Sequence, residues 1–450
     1  MDGERKLLTD WYARCDPGVP LGLDREEDAR AYVALDAFED PEVGLMGLRG
    51  FPAAEALLDD IEFSAALPDP RSALLFAGFR GTGKSTELSR LERLLRARGT
   101  FTVLRMRADD YHHFGDALSP EELAMVLAAG IGERAAEELG LPVLRSQGVW
   151  ERMRAFFLQL PESQEWALKI GALEFKGLLR QGGDFRDRVA RLLRDRPDKL
   201  REFLHTLVLE LAGNLGGRQL VVLVDGFDKY HAPLDRVGDI YHRMAELFRA
   251  QAPLLHLPAC HVVYTVSPYF AFLINDIAGA YGGCLHVLPS VKIHERPPRR
   301  SELYRPGLRA LEAVLERRLD LDRLFGPARG PAVEALILAS GGHVRDLCHL
   351  ARNAVRLASR RGLPLPLDAV EEARQMLHAS RGFVPRDTAE ILAAVAKSGD
   401  PSALATSQLG ALAVAMDNFL VLSYWNGTRW YDVHPLFRAT VLGEGAPEGS

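Results

Sequence analysis

The sequence predicts an α/β protein: a parallel five-stranded sheet in a three-layer arrangement, with helices on both faces. Three observations carry that expectation. Residues 72–77, 101–106, 220–224, 261–270 and 284–293 form largely apolar runs of strand length, and the first reads as a buried strand. Residues 86–98 place Leu88, Leu91, Leu94 and Leu95 at helical spacing between charges. A glycine-rich turn joins the first run to that helix, as at the start of a βαβ unit.

The chain of 450 residues is 47% hydrophobic and 26% charged, ordinary for a globular protein and long enough for roughly two to four domains. A net charge of -6 and a pI near 6.1 argue against broad non-specific binding of nucleic acid. Cys15, Cys260, Cys284 and Cys348 show no paired spacing, so neither a disulfide framework nor a zinc site is expected. The start, MDGERKLLTDW, has no apolar core of signal-peptide length, and no apolar stretch of about 18 residues follows. The expectation is a cytoplasmic protein that does not enter a membrane. Arg far outnumbers Lys and Ala is abundant, the codon signature of a GC-rich bacterial genome.

In chain order, residues 1–45 read as an N-terminal extension, acidic from Asp24 to Asp40. The first strand holds Leu74, Leu75 and Phe76 between Pro70 and Gly78, and the turn after it reads Gly78, four residues, Gly83, Lys84, Ser85. That is the phosphate-loop pattern in its required strand-loop-helix setting. The glycines let backbone N–H groups converge on anionic oxygens, and the helix N-terminus adds its dipole. Lys84 is expected to reach the β- and γ-phosphates of ATP, and Ser85 to offer its hydroxyl to Mg²⁺. Gly78, Arg80, Gly81, Thr82, Gly83, Lys84, Ser85 and Thr86 are the candidate nucleotide-binding set.

Such a loop needs a carboxylate for the Mg²⁺ water shell, normally at the end of a neighbouring buried strand. "QLVVLVDGFDKY" supplies Asp225 for that role. Asp228 is the candidate that orients the attacking water, because Gly226 stands where many P-loop ATPases place Glu. In "HVVYTVSPYF", Thr265 and Ser267 lie at a strand's carboxyl end, where ligands bind in open α/β sheets. A hydroxyl there either senses the γ-phosphate or water, or caps the helix that Pro268 begins. Residues 110–214 form a mostly helical insertion, with "EWALKIGALEFKGLL" an amphipathic stretch that packs inward or docks a partner. His112-His113 reads as surface rather than metal, and the Pro- and Arg-rich segment 294–307 as a solvated linker.

With these residues in hand, the chain resembles the P-loop ATPases of the STAND and AAA+ group, over roughly residues 46–440. "VLVDGFDK" looks like the NACHT branch of STAND, the nucleotide-operated signalling switches, although Lys229 replaces a further acid. "ASGGHVRDLCHLARNAV" is similar to the helical lid of the group, which implies that Arg345 is a sensor arginine for the phosphates. "NFLVLSYWNGTRWYDVHPLFR" looks like the end of a winged-helix domain, with Asn426-Gly427 as a two-residue hairpin turn. The resemblance implies that His434 touches the bound diphosphate; a residue that only caps the final helix is the other reading. Residues 46–293 are then the nucleotide domain, 294–382 the lid, 383–442 the winged helix and 443–450 a disordered tail. No Arg or Lys occurs from Ser267 to Gly283, where many AAA+ proteins carry an arginine finger.

The resemblance implies a slow, regulatory ATPase that uses ATP, ADP and Mg²⁺ and switches a protein partner or its own homo-oligomerisation, in bacterial signalling or defence. The alternative is a DNA-binding AAA+ ATPase of the replication-initiator or transposition-regulator type. DNA is the disfavoured partner in this reading, because the chain is acidic and the candidate recognition helix, "SQLGALAVAMDN", carries no Arg or Lys.

Overall fold

The computed structural model describes residues 2–38, 49, 53–112, 115, 117–140, 149–159, 163, 177, 183–193, 197–229, 237–274, 276–283, 285–381 and 384–443. The amphipathic stretch at 165–179, apart from Gly177, lies outside them, as do His113 and the tail after residue 443. The fold is α/β, and the chain divides into two compact units. The first comprises Met1–Ala53, Gly78–Ser89 and Leu288–Ser450; the second comprises Ala54–Ala77 and Arg90–Val287.

The sheet characterises the second unit. Its strands are β1 (Ser72–Gly78), β2 (Phe101–Arg107), β3 (Gln219–Asp225), β4 (Cys260–Val266) and β5 (Leu285–Leu288), in the order β2-β3-β4-β1-β5. The ladders β2–β3, β3–β4 and β1–β4 are parallel, pairing Arg107 with Asp225, Val224 with Tyr264 and Phe76 with Thr265. Leu220 to Val224 are fully buried, as the unbroken apolar run requires. The fifth run is a strand only to Leu288. Pro289 follows and has no N–H to give a ladder, so the pairing stops there.

His261 is buried near the start of β4, between Ser72 Oγ at 2.9 Å from Nδ1 and Gln219 Oε1 at 3.0 Å from Nε2. Burial pushes its imidazole down to about 4. The folded state therefore disfavours a proton that the unfolded chain accepts near pH 6.5. Stability from this site is intact above pH 6.5 and declines as pH falls from there towards 4. Urea denaturation at pH 7 and pH 5 is expected to show a larger drop for wild type than for His261→Gln; equal drops contradict this.

The first unit is mostly helical. Its elements include α1 (Asp2–Arg14), the first turns of α2 (Lys84–Arg98), α3 (Arg329–Ser340), α4 (Val344–Arg361), α5 (Leu409–Asp417), the antiparallel hairpin β6 (Val421–Trp425) and β7 (Arg429–Val433), and α6 (Pro435–Leu442). The N-terminal segment is tied into it. Arg352 of α4 stacks 4.1 Å from the Tyr12 ring centroid and lies 3.3 Å from Asp16, and Leu23 N–H donates to Ser89 Oγ at 2.9 Å. Leu412, Ala413, Ala415 and Met416 of α5 are buried, so this helix spends its apolar side on protein packing.

The hairpin differs from the expected two-residue turn. Trp425 pairs with Arg429, so Asn426, Gly427 and Thr428 form a three-residue connection, with Gly427 at φ +73°. Segment 294–307 also differs from the expected solvated linker. Arg300 Nε lies 2.5 Å from Oδ2 of Asp432, a carboxylate 1% exposed, and Arg438 lies 2.6 Å from its other oxygen. A carboxylate buried in the hairpin needs cations close by, and this segment supplies one of them.

Candidate functional site

β1 runs directly into the glycine-rich loop, and the loop runs into α2. Gly81 at φ +85° and Gly83 at φ +102° occupy backbone conformations that side chains rarely adopt. At Gly81 there is also no room: a Cβ would lie 2.5 Å from Cβ of Arg345 and 2.8 Å from Nε2 of His343. Lys84 is buried and donates to the carbonyl oxygens of Gly78 and of Phe79, the latter at 2.9 Å. Thr82 Oγ1 donates to the same Phe79 oxygen at 2.8 Å. Arg49, also buried, donates to the Thr82 carbonyl and, at 3.2 Å, to that of Pro289. Ser85 and Thr86 are half-buried in the first turn of α2, and Arg80 Nε lies 3.4 Å from Asp417 of α5.

α4 abuts this loop within the first unit. The Arg345 N–H, one of the first-turn amides that a helix leaves unpaired, donates to the Gly81 carbonyl at 3.2 Å. His343, just before the helix, has Nε2 at 2.7 Å from the Arg80 carbonyl, which sets a proton on that nitrogen. Its Nδ1 is 3.2 Å from Oδ2 of Asp346, and His434 Nε2 is 3.0 Å from the same oxygen. Both are ion-pair distances rather than aligned hydrogen bonds. Arg381 pairs with the other oxygen. Asp346, His343 and His434 are all 1% exposed or less. Burial by itself raises the Asp346 carboxyl, yet the two imidazoles outweigh it and hold the group well below the usual carboxylate range.

His434 accepts a hydrogen bond at Nδ1 from the Leu436 N–H at 3.2 Å and so caps α6, which leaves its proton on Nε2, towards Asp346. Burial lowers its imidazole, against the pull of Asp346. Phe419 closes the cluster, its ring 5.2 Å from that of His343 and 4.5 Å from the Arg381 guanidinium. It does so at φ +60°, a strained conformation that costs on the order of 1–3 kcal/mol.

The acidic end of β3 belongs to the second unit. Thr265 Oγ1 donates to Asp225 Oδ1 at 3.3 Å and accepts from the Gly226 N–H at 2.8 Å. Thr265 thus orients this carboxylate, while Ser267 makes no side-chain cap for the short helix Phe270–Leu273, whose N-cap is Tyr269. Arg105 of β2 reaches Asp225 Oδ2 at 3.6 Å and Glu92 at 3.7 Å. Asp228 is buried, and Lys229 lies 3.4 Å from both oxygens of Asp109.

Sequence reasoning missed Arg49, His343, Asp346, Arg381 and Asp109. Asp346 carried a faint signal, an acid directly after Arg345 in a first helical turn, but that is also what an ordinary solvated helix start looks like.

No protein-family model matches the chain, and no curated protein matches it in sequence. Among solved structures, it is similar to Drosophila ORC bound to DNA at 12% identity and TM-score 0.38, over 91% of each chain. It is similar to Cdc6p from Pyrobaculum aerophilum at 13% identity and TM-score 0.36, over 86% of this chain and 92% of that one. A complex of Drosophila ORC with poly(dA/dT) DNA and Cdc6 follows at 10% identity and TM-score 0.31, over 76% of this chain and 43% of that one. At these TM-scores the likeness carries no argument about function.

Removal of the Asp346 carboxylate strands two buried imidazoles and leaves the half-buried Arg381 without its partner. Asp346→Ala is expected to lose about 3–5 kcal/mol of unfolding free energy, and His434→Ala in that background to add less than it costs alone. Urea denaturation of the full chain measures both. A loss under about 1 kcal/mol contradicts the buried cluster.

Proposed function

We propose that the protein is an ATP-binding P-loop ATPase whose nucleotide state is coupled to its C-terminal helices and hairpin. The observation that carries this reading is the loop of Gly78, Gly83, Lys84 and Ser85 between β1 and α2, with Gly81 and Gly83 in the left-handed region. Arg80, Gly81, Thr82, Gly83 and Thr86 complete the loop that cradles phosphate. Ser85 would offer its hydroxyl to Mg²⁺, and Asp225, oriented by Thr265, would hold the ion's water shell. The donor chemistry fits the ion. A hydroxyl and a carboxylate are hard oxygen donors, and Mg²⁺ takes only one or two protein oxygens beside phosphate and water. When bound, it neutralises charge on the phosphates. Asp228 is the sequence-based candidate for orienting water. Arg345 is the sensor of the phosphates; His434, expected at the diphosphate, instead caps α6 and meets Asp346, and acts on the loop through Asp346 and His343.

Residues 46–293 serve in this reading as the nucleotide domain, 294–382 as the lid and 383–442 as the winged-helix-like domain. Among the described residues no helix is long and apolar enough to cross a membrane.

Two finer readings follow. In the first, the protein is a STAND-like switch: ADP holds the C-terminal segment closed, and ATP releases it towards a partner chain or a second copy. In the second, it is a DNA-binding AAA+ ATPase, the class that the ORC and Cdc6 structures represent. The ranking of DNA behind protein rests on the acidic chain and the uncharged candidate recognition helix alone, and those comparisons lend it no support. An ATP-dependent gel shift of labelled duplex at about 0.15 M salt selects the second reading. A nucleotide-dependent change in molecular mass with no duplex binding selects the first.

Lys84→Ala removes the charge that meets the triphosphate and is expected to abolish thermal stabilisation by ATP·Mg²⁺, worth about 2.7 kcal/mol at a hundredfold excess over Kd. Equal stabilisation of wild type and variant overturns the phosphate-loop assignment. His434→Ala is expected to speed release of fluorescent ADP; equal off-rates contradict the coupling.

A further inference from the structure

We propose that Asp109 is the carboxylate that orients the attacking water, a role that the sequence patterns assign to Asp228. This rests on the ATPase reading above and deepens it. Strands β2 and β3 run side by side, with Arg107 opposite Asp225, so the residues just after each strand emerge together at the carboxyl end of the sheet. Three acids meet there. Asp225 is engaged by Thr265 and Arg105. Asp228 is 5% exposed, and its Oδ1 is closed off from solvent. The Asp109 side chain is 25% exposed, so water reaches it.

Gly226, the residue directly after Asp225, reserves the space for that carboxylate. It adopts φ +109°, and a Cβ there would lie 2.8 Å from Asp109 Oδ1. The acid absent at position 226 is thus replaced in space by one from the turn that follows the neighbouring strand. Two cations keep it ionised: Lys229, 3.4 Å from both oxygens, and Arg107, with Nε 3.2 Å from Oδ1 and a terminal nitrogen 2.6 Å from Oδ2. Burial raises this carboxyl, but Arg107 and Lys229 outweigh it and leave it below its ordinary value. The Arg107 side chain is 55% exposed, so a water displaces it from Asp109 at little cost. In the step, the water oxygen bonds the γ-phosphorus while the β–γ bridging oxygen leaves on ADP with the bond pair. The water proton passes by way of Asp109 to the released phosphate.

Steady-state ATP hydrolysis and binding of a fluorescent ATP analogue with Mg²⁺ test this on the full chain. Asp109→Asn is expected to lower kcat about a hundredfold or more while affinity stays within about threefold, and Asp109→Glu to recover part of the turnover. If Asp109→Asn does not fold, Lys229→Met decides: the carboxylate stays but loses a holder, so kcat should fall about tenfold at unchanged affinity. Unchanged kcat in the tested variant, or loss of turnover only in Asp228→Asn, overturns the proposal. A wild type that neither binds nor hydrolyses ATP sinks the ATPase reading and this inference together. A wild type that does both, beside an Asp109→Asn variant that matches it, sinks this inference alone.

Discussion

The first unit depends on one buried charge. Asp346 emerges from the first turn of α4, where the helix dipole favours an anion, and has essentially no contact with water. A carboxylate in that position is tolerable only with cations and donors around it. Arg381, His343 and His434 come to it from three different stretches of chain, and each thereby acquires a fixed place. The same interaction leads outward at both ends. On one side His343 reaches the Arg80 carbonyl in the glycine-rich loop; on the other, His434 caps α6. Loop, α4 and α6 thus share one polar chain in which removal of any member leaves a buried group unmatched.

Asp432 performs a comparable task for the hairpin. Arg300, Arg438 and His294 surround it, and stacked Tyr424 and Trp430, 4.5 Å between centroids, lie against the His294 ring. The hairpin leads straight into His434, so the packing around Asp432 also fixes where the second imidazole stands. Strain at Phe419 belongs to this arrangement: its ring fills the gap between His343 and Arg381 only because its backbone is left-handed.

The strands β1 and β3 were legible in the sequence because their buried residues form nearly unbroken apolar runs, whereas β2 and β5 carry Arg105 and His286 at half-buried positions. The sheet's limits were less so: residues 289–293 are apolar but Pro289 interrupts the ladder, a local backbone fact that hydropathy ignores. The strand-loop-helix setting of the glycine-rich turn was legible from spacing alone, since an apolar run, glycines at fixed offsets and a helical leucine pattern follow one another there. Asp346, His343 and Arg381 were not, because an acid, a histidine and an arginine on helical segments look the same whether they face water or each other. Asp109 was hidden for a related reason. Its partners Lys229 and Gly226 lie 120 and 117 positions away, and only the parallel pairing of β2 with β3 brings them together.

We propose that nucleotide bound at the loop is felt at the C-terminal helix through Asp346. Hydrogen exchange followed by mass spectrometry, with and without Mg·ADP, addresses it directly. Wild type is expected to gain protection in peptides covering residues 78–86 and also in those covering 434–443. Asp346→Asn is expected to keep the first gain and lose the second. C-terminal protection that survives in Asp346→Asn, or that never appears in wild type, contradicts the account.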